Sequence, residues 1–351
     1  MLSPGLIDLQ VNGFAGIDFN SGTITAAELD HALEAMLRTG VTTCLPTIIT
    51  AYPGELESRF KALDAAIGGS RLGPLMCPGY HLEGPFLSPV DGFSGCHPPR
   101  AMTAADPALV DRLRAMIERP ILMVTVAPEI EGAIDLIRAL SRSGRIVALG
   151  HTAADFEQVQ AAAAAGATLS THLGNGMPQT THKLANPIFA QLAEDRLTAS
   201  FIADGIHIHP KALKVLLRAK SPARSILVTD AVAAAASRPG RYRFAGTDID
   251  RSADGMVRLA DSKLLAGSSL CLDQALRNVV AWGLATPAEA IAMAAERPLA
   301  AIAPALDAHG LTLPASEVTW SGDLFVQRLR LGGIERDYPA SEHDNKRGDL
   351  K

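Results

Sequence analysis

Eight short apolar runs, separated by longer segments that mostly read as helices, constrain this chain more than any other feature. The runs are GLIDLQV (5–11), VTTCLPTII (41–49), PLMCPGYHL (74–82), ILMVTVAP (121–128), RIVALGH (145–151), ATLSTHL (167–173), LTASFIAD (197–204) and SILVTDA (225–231). They are rich in Val, Ile, Leu and Thr without strict polar–apolar alternation, the pattern of parallel strands buried on both faces. Between them, TAAELDHALEAMLRTG (25–40) spaces Leu29, Leu33, Met36 and Leu37 along one helical face and stops at Gly40. AADFEQVQAAAAAGA (153–167) reads as another helix, capped at Gly166, and two more are expected at 267–283 and 286–297. Eight strand–helix units predict an α/β fold, a (β/α)8 TIM-like barrel over residues 1–305. The segment 311–333 breaks the pattern and reads as short strands with turns. It predicts a small β appendage over 306–336, followed by a polar tail, 337–351, expected to be frayed.

Composition supports a core of that size and excludes several function classes. Hydrophobic residues make up 48% of the 351 and charged residues 20%. A net charge of −5 without Lys/Arg runs leaves no electrostatic footprint for nucleic acid. No window approaches the ~20 apolar residues of a membrane span, and MLSPGLIDLQVNG lacks the features of a signal peptide. The four cysteines are scattered, without a C-x-x-C pair, so neither a disulfide framework nor a thiolate zinc site is expected. These features fit a cytoplasmic protein.

In such a barrel the active site lies at the C-terminal ends of the strands. The polar residues collect there. Gln10 and Asn12 end the first run, Glu83 follows the third, His151 the fifth and His172 the sixth; His207 and His209 come just after the seventh, and Asp230 ends the eighth. Glu83, His151 and His172 offer one carboxylate and two imidazoles with a coordination position left open, the ligand pattern of a catalytic zinc site. A divalent ion there would lower the pKa of bound water and polarise a carbonyl. Asp230 could then act as general base and afterwards protonate the departing nitrogen, which is hydrolysis of an amide or related C–N bond. Each residue also has a structural reading. A lone strand-end histidine is commonly structural, Asp230 could cap a helix, and His81 could support Glu83 or merely pack.

Several stretches are similar to known sequences: PGLIDLQVNGFAG (4–16), HLEGPFLSP (81–89), GCHP (95–98), VTVAPE (124–129), GHTAA (150–154), THLGNGM (171–177), ADGIHIH (203–209), LVTDA (227–231) and LAGSSL (265–270). In this order, and over nearly the whole chain, they resemble the N-acetylglucosamine-6-phosphate deacetylases of the amidohydrolase superfamily. The resemblance implies a metal-dependent amidohydrolase barrel with a small β-sandwich. It implies Glu83, His151 and His172 as metal ligands, Asp230 as catalytic acid/base, and His207 as a catalytic histidine touching the substrate carbonyl or sugar. His97, Asn175 and the Gly176 backbone correspond to substrate-contacting positions, and Gln10 is grouped with them. Many amidohydrolases carry H-x-H where this chain has Gln10 and Asn12. Amides are poor zinc ligands beside imidazoles, so one divalent ion, zinc, is expected.

Two departures qualify the resemblance. Family members commonly follow THL.NAM with an R-E-P-G segment whose arginine helps to bind the substrate phosphate. Here Lys183 falls at that place by ungapped count, with His182 beside it. Lysine can hold a phosphate as a point charge but lacks the arginine fork. Family members also carry a segment before PGLID that completes the small sheet, so an incomplete sandwich with open edges near 311–333 is expected. The implied reaction converts N-acetylglucosamine 6-phosphate to glucosamine 6-phosphate and acetate. The alternatives are an amidohydrolase for another N-acyl compound, whether a non-phosphorylated amino sugar or an N-acyl amino acid, and a non-catalytic sugar- or metal-binding relative. The expected partner is a small molecule, and a homodimer is common among such proteins.

Overall fold

The computed structural model describes residues 1–339. Eight parallel strands form the barrel wall: β1 (Leu6–Val11), β2 (Val41–Ile49), β3 (Tyr80–Glu83), β4 (Ile121–Val126), β5 (Ile146–Leu149), β6 (Ala167–Ser170), β7 (Thr198–Phe201) and β8 (Ser225–Leu227). Each lies within or overlaps one of the eight apolar runs. Nearly every strand residue is buried, which is why the runs do not alternate. Each fully buried Leu, Ile or Val contributes roughly 1.5–3 kcal/mol relative to exposure, so the wall and its helices carry most of the stability.

The helices begin and end for local reasons. Ala26–Leu37 starts at a capping box in which the Thr25 hydroxyl takes the Glu28 amide and Glu28 returns a bond to the Thr25 amide. It turns Leu29, Ala32, Leu33, Met36 and Leu37 onto the wall. Phe156–Ala165 is capped by Asp155 and ends at Gly166, whose φ of 119° an L side chain would resist. The two later helices are Leu272–Ala281 and Pro287–Ala294, shorter than the expected 267–283 and 286–297.

Hydrogen-bonded ladders link seven neighbouring strand pairs from β1 round to β8. The seam between β8 and β1 is closed only by isolated contacts beyond the end of β8. The Asp230 amide donates to the Gln10 carbonyl (3.0 Å), and the Asn12 amide to the Ala231 carbonyl (2.7 Å). Besides a two-stranded hairpin, Gly13–Phe14 with Ile17–Asp18, two larger sheets decorate the barrel. One is antiparallel and three-stranded (Gly240–Phe244, Thr247–Arg251, Val257–Leu259); it packs Phe244, Ile249 and Val257 against Ile49, Val232 and Ala266 at the barrel mouth. Nothing in the sequence reading anticipated it.

The other sheet is the appendage, formed by Ser316–Trp320, Val326–Leu331 and Ile334–Asp337. It also takes in Leu2–Ser3, which pairs with Val318 and Thr319, so one edge expected to be open is partly covered. Three boundaries thus differ from the expected ones, the first because the helix Glu296–Ala308 runs across the division expected at 305/306. Residues 2–3 join the appendage rather than the barrel unit, because backbone pairing and a bond from the Trp320 indole to Ser3 Oγ (2.8 Å) hold them there. The sheet also runs to Asp337, where Arg328 pairs with the carboxylate, so the first residue of the expected tail is a strand residue. Positions 340–351 of that tail lie outside the described residues. Among the described residues no helix is long and apolar enough to cross a membrane.

Candidate active site and metal centre

The strand ends converge on Glu83. Pleating puts Asp8, Gln10 and Asn12 on one face at the end of β1. Gln10 Nε2 donates to Glu83 Oε1 (2.9 Å) and to Asp230 Oδ1 (3.2 Å), and Asn12 Nδ2 donates to the same Asp230 oxygen (2.7 Å). The two amides that stand in for H-x-H thus act as donors holding two carboxylates. His172 Nε2 lies 2.9 Å from Glu83 Oε1, and His151 Nε2 lies 3.5 Å from the same oxygen. His97, from the segment after β3, puts Nε2 3.6 Å from Glu83 Oε2. All four side chains are buried. His81 stays inside the barrel, with Nε2 2.7 Å from Thr125 Oγ1; it does not reach the cleft.

Three of these residues sit in unusual backbone. His151, His172 and Asp230 have φ values of 48°, 29° and 50°. A non-glycine residue held there costs on the order of 1–3 kcal/mol, and such positions gather at functional sites. The left-handed turn lets each chain leave the wall while its side chain points over the barrel mouth. The Thr229 amide and hydroxyl are held by the Asp8 carboxylate, which fixes the residue preceding Asp230.

The electrostatics follow from burial. Burial alone would raise the Glu83 carboxyl, and hydrogen bonds from His151, His172 and His97 would hold it well below the usual carboxylate range only while those rings turn an N–H towards it. Asp230 is pushed up to about 6, chiefly by burial and then by the Glu83 charge; His172, His207 and the Asn12 hydrogen bond limit the rise. A carboxyl poised there can accept and return a proton near neutral pH. Burial would lower His172, but its bond to Glu83 raises it. Asp204, unremarked in the sequence, accepts from His207 Nδ1 (2.6 Å) and leaves Nε2 as the free ring nitrogen. The i, i+3 spacing inside ADGIH was the available signal. His209 instead caps the helix Pro210–Lys220 through a bond from the Lys211 amide (3.2 Å).

A cleft of about 320 Å³ opens over this cluster, lined among others by His97, Asn175, Gly176, His207 and Asp230. Asn175 Nδ2 donates to the His172 carbonyl (3.0 Å). At Gly176, with φ of 61°, an added Cβ would come 2.5 Å from His151 Nδ1, so the glycine lets this loop lie against the imidazole. Lys183 is not brought to the site. It is exposed and does not line the cleft, because its loop folds on itself, with the Ala185 amide donating to His182 Nδ1 (2.8 Å). The one lysine or arginine among the cleft-lining residues is Lys263, carried by the turn after the three-stranded sheet.

The donor set fits a divalent ion. Glu83, His97 and His151 present donor atoms that all lie within 4.8 Å of one another, and His172 adjoins them through Glu83. The backbone carbonyl of Phe93, an obligate acceptor, lies 2.9 Å from His151 Nδ1. That nitrogen therefore carries the hydrogen, and Nε2 presents a lone pair towards a carboxylate oxygen. Two electron-rich atoms facing each other in a buried site suit a cation between them.

Comparison with known proteins points the same way. The amidohydrolase family matches residues 1–304. The chain is similar to an N-acetylgalactosamine-6-phosphate deacetylase of Escherichia coli O157:H7, with 37% identity over 85% of this chain and 77% of that one. It is also similar to an N-acetylglucosamine-6-phosphate deacetylase of Bacillus subtilis (strain 168), with 34% identity over 80% and 69%. Among solved structures, an N-acetyl-D-glucosamine-6-phosphate deacetylase of Mycobacterium smegmatis in complex with N-acetyl-D-glucosamine-6-phosphate superposes with a TM-score of 0.84. That match has 31% identity and covers 95% of this chain and 86% of the other.

Proposed function

The chain belongs to the amidohydrolase family, and on that basis we propose that it removes the N-acetyl group of N-acetylglucosamine 6-phosphate, giving glucosamine 6-phosphate and acetate. The observation that carries the reading is Asp230, with one oxygen fixed by Gln10 and Asn12 and its pKa near 6, beside the buried Glu83–histidine cluster. Glu83, His151 and His172 would hold one zinc ion. Such an ion supplies a Lewis acid and a lowered pKa for water in contact with it.

The remaining steps belong to the chain's own groups. Asp230 takes the proton of the attacking water on the oxygen that Gln10 and Asn12 leave free, and returns it to the amide nitrogen as the C–N bond breaks. His207, aligned by Asp204 at Nδ1, turns Nε2 towards the acetyl carbonyl, where its N–H form donates to the oxygen as negative charge develops there. Asn175 and the Gly176 backbone line the sugar's side of the cleft, and Lys263 meets the phosphate at the mouth. The 37% identity to the Escherichia coli protein favours one second reading, the C4-epimeric N-acetylgalactosamine 6-phosphate as substrate. Cys44 and Cys77, both free with their sulfurs 3.7 Å apart, support a cytoplasmic setting. A homodimer completes the reading and is checked by sedimentation.

The test is acetate release by the zinc-loaded protein from both N-acetylhexosamine 6-phosphates and from their unphosphorylated forms. Strong preference for a phosphorylated sugar, abolished by chelation, is expected. Equal rates with and without phosphate, or no release from either phosphate ester, would reject the proposal.

A further inference from the structure

We propose that His97 is itself a donor to the divalent ion, beside Glu83 and His151, and not only a substrate contact. The inference rests on the metal-dependent reading above. Its first support is that Glu83, His97 and His151 are the three side chains whose donor atoms all lie mutually within 4.8 Å among the described residues.

The second support is the hydrogen on His97. Its Nδ1 lies 2.9 Å from Thr50 Oγ1, and that hydroxyl sits 3.3 Å from the Glu83 backbone carbonyl, to which it donates. With its own proton committed to a carbonyl, the hydroxyl accepts from Nδ1, and Nε2 is left unprotonated. This bare nitrogen faces Glu83 Oε2 at 3.6 Å, both side chains being only 2% exposed. Phe93 fixes the same tautomer in His151, whose ring centre lies 4.4 Å from that of His97. Metal-binding imidazoles are commonly held in this way, with the far ring N–H on an oxygen acceptor.

His172 is built differently. Its Nε2 is at hydrogen-bond distance from Glu83, and its buried Nδ1 has no partner among the described residues. It joins the ion only by giving up the bond to Glu83, whereas His97 and His151 are already set.

The experiment measures zinc affinity by competition with a chromogenic chelator, and the visible spectrum of the cobalt(II)-loaded protein, for the parent, H97Q and T50V. Thr50→Val removes the acceptor behind His97 while keeping the side chain's size, so it serves if His97→Gln does not fold. Expected are a ~10- to 100-fold loss of zinc affinity in H97Q, a smaller loss in T50V, and a changed cobalt(II) band in both. Parent-like affinity and spectra, with only the KM raised, would overturn the role of His97 and leave the deacetylase reading standing. A parent that binds no divalent ion would overturn both.

Discussion

Replacing Asp8 by asparagine separates the cost of burying a charge from the hydrogen bonds that the charge makes. Asp8 is fully buried. Its Oδ1 accepts from the Thr229 amide (3.2 Å) and the Gln10 amide (3.3 Å), and its Oδ2 accepts from the Thr229 hydroxyl (2.5 Å). Burial lifts its carboxyl to about 7; the bonds from Thr229 and Gln10 oppose the rise and the Asp230 charge adds to it. The unfolded chain releases this proton near pH 3.8, whereas the folded chain keeps it to about pH 7. Between those values the folded state binds more protons, so stability is lost as pH rises. That gap corresponds to on the order of 4 kcal/mol once Asp8 is fully ionised.

Asparagine carries no such cost. Its carbonyl can keep both amide bonds, and its Nδ2 can donate to Thr229 Oγ1, whose proton has the Gln10 carbonyl (3.3 Å) as another acceptor. Trading the charge-assisted bond returns about 1–2 kcal/mol, so D8N should be ahead of the parent by about 2 kcal/mol near pH 8. The advantage should vanish, then reverse, as pH falls towards about 4. Urea unfolding of both metal-free proteins at about pH 4.5, 6 and 8 measures it. A difference that does not grow with pH, or a parent still ahead at about pH 8, would show that the buried Asp8 charge does not oppose folding.

Asp230→Asn should lower kcat by ~10²–10⁴-fold with zinc content unchanged; turnover within threefold of the parent would reject Asp230 as the base. Because the base must be ionised and burial lifts it to about 6, the parent's rate should fall as pH drops below about 6. A profile flat to about pH 4 would contradict that. Lys263→Ala should raise the KM for the phosphorylated sugar by roughly fivefold, the scale of an exposed ion pair, and leave an unphosphorylated sugar unaffected. An equal effect on both would remove the phosphate from Lys263.

The barrel was legible because buried parallel strands write themselves as uninterrupted apolar runs, and polar residues at the ends of such runs stand out. Gln10, Asn12, Glu83, His151, His172, His207 and Asp230 all reach one cluster or its cleft for that reason. The three-stranded sheet was missed because GRYRF and TDIDR are rich in charge and bury only Phe244 and Ile249. Their pairing rests on cross-strand contacts such as Arg241–Asp250 and Arg243–Asp248, which only the register reveals. Leu2–Ser3 is too short to carry a strand signal. Lys183 and Lys263 cannot be told apart by counting along the chain, since which loop faces the mouth depends on how each folds back. Thr50 and Phe93 orient imidazoles from distant segments, one through a hydroxyl and the other through a backbone carbonyl, so nothing in their side chains marks them.

The seam between β8 and β1 gives the molecule an unusual failure mode. Seven joints of the wall are ladders; the eighth is clasped by the backbone of Gln10, Asn12, Asp230 and Ala231, two of whose side chains hold the third, the reacting carboxylate. Parting that joint and misaligning the base are one event. Warming should therefore silence turnover while the seven ladders and their helices still stand. A population of molecules would then report damage to its weakest seam through lost catalysis, well before any lost shape.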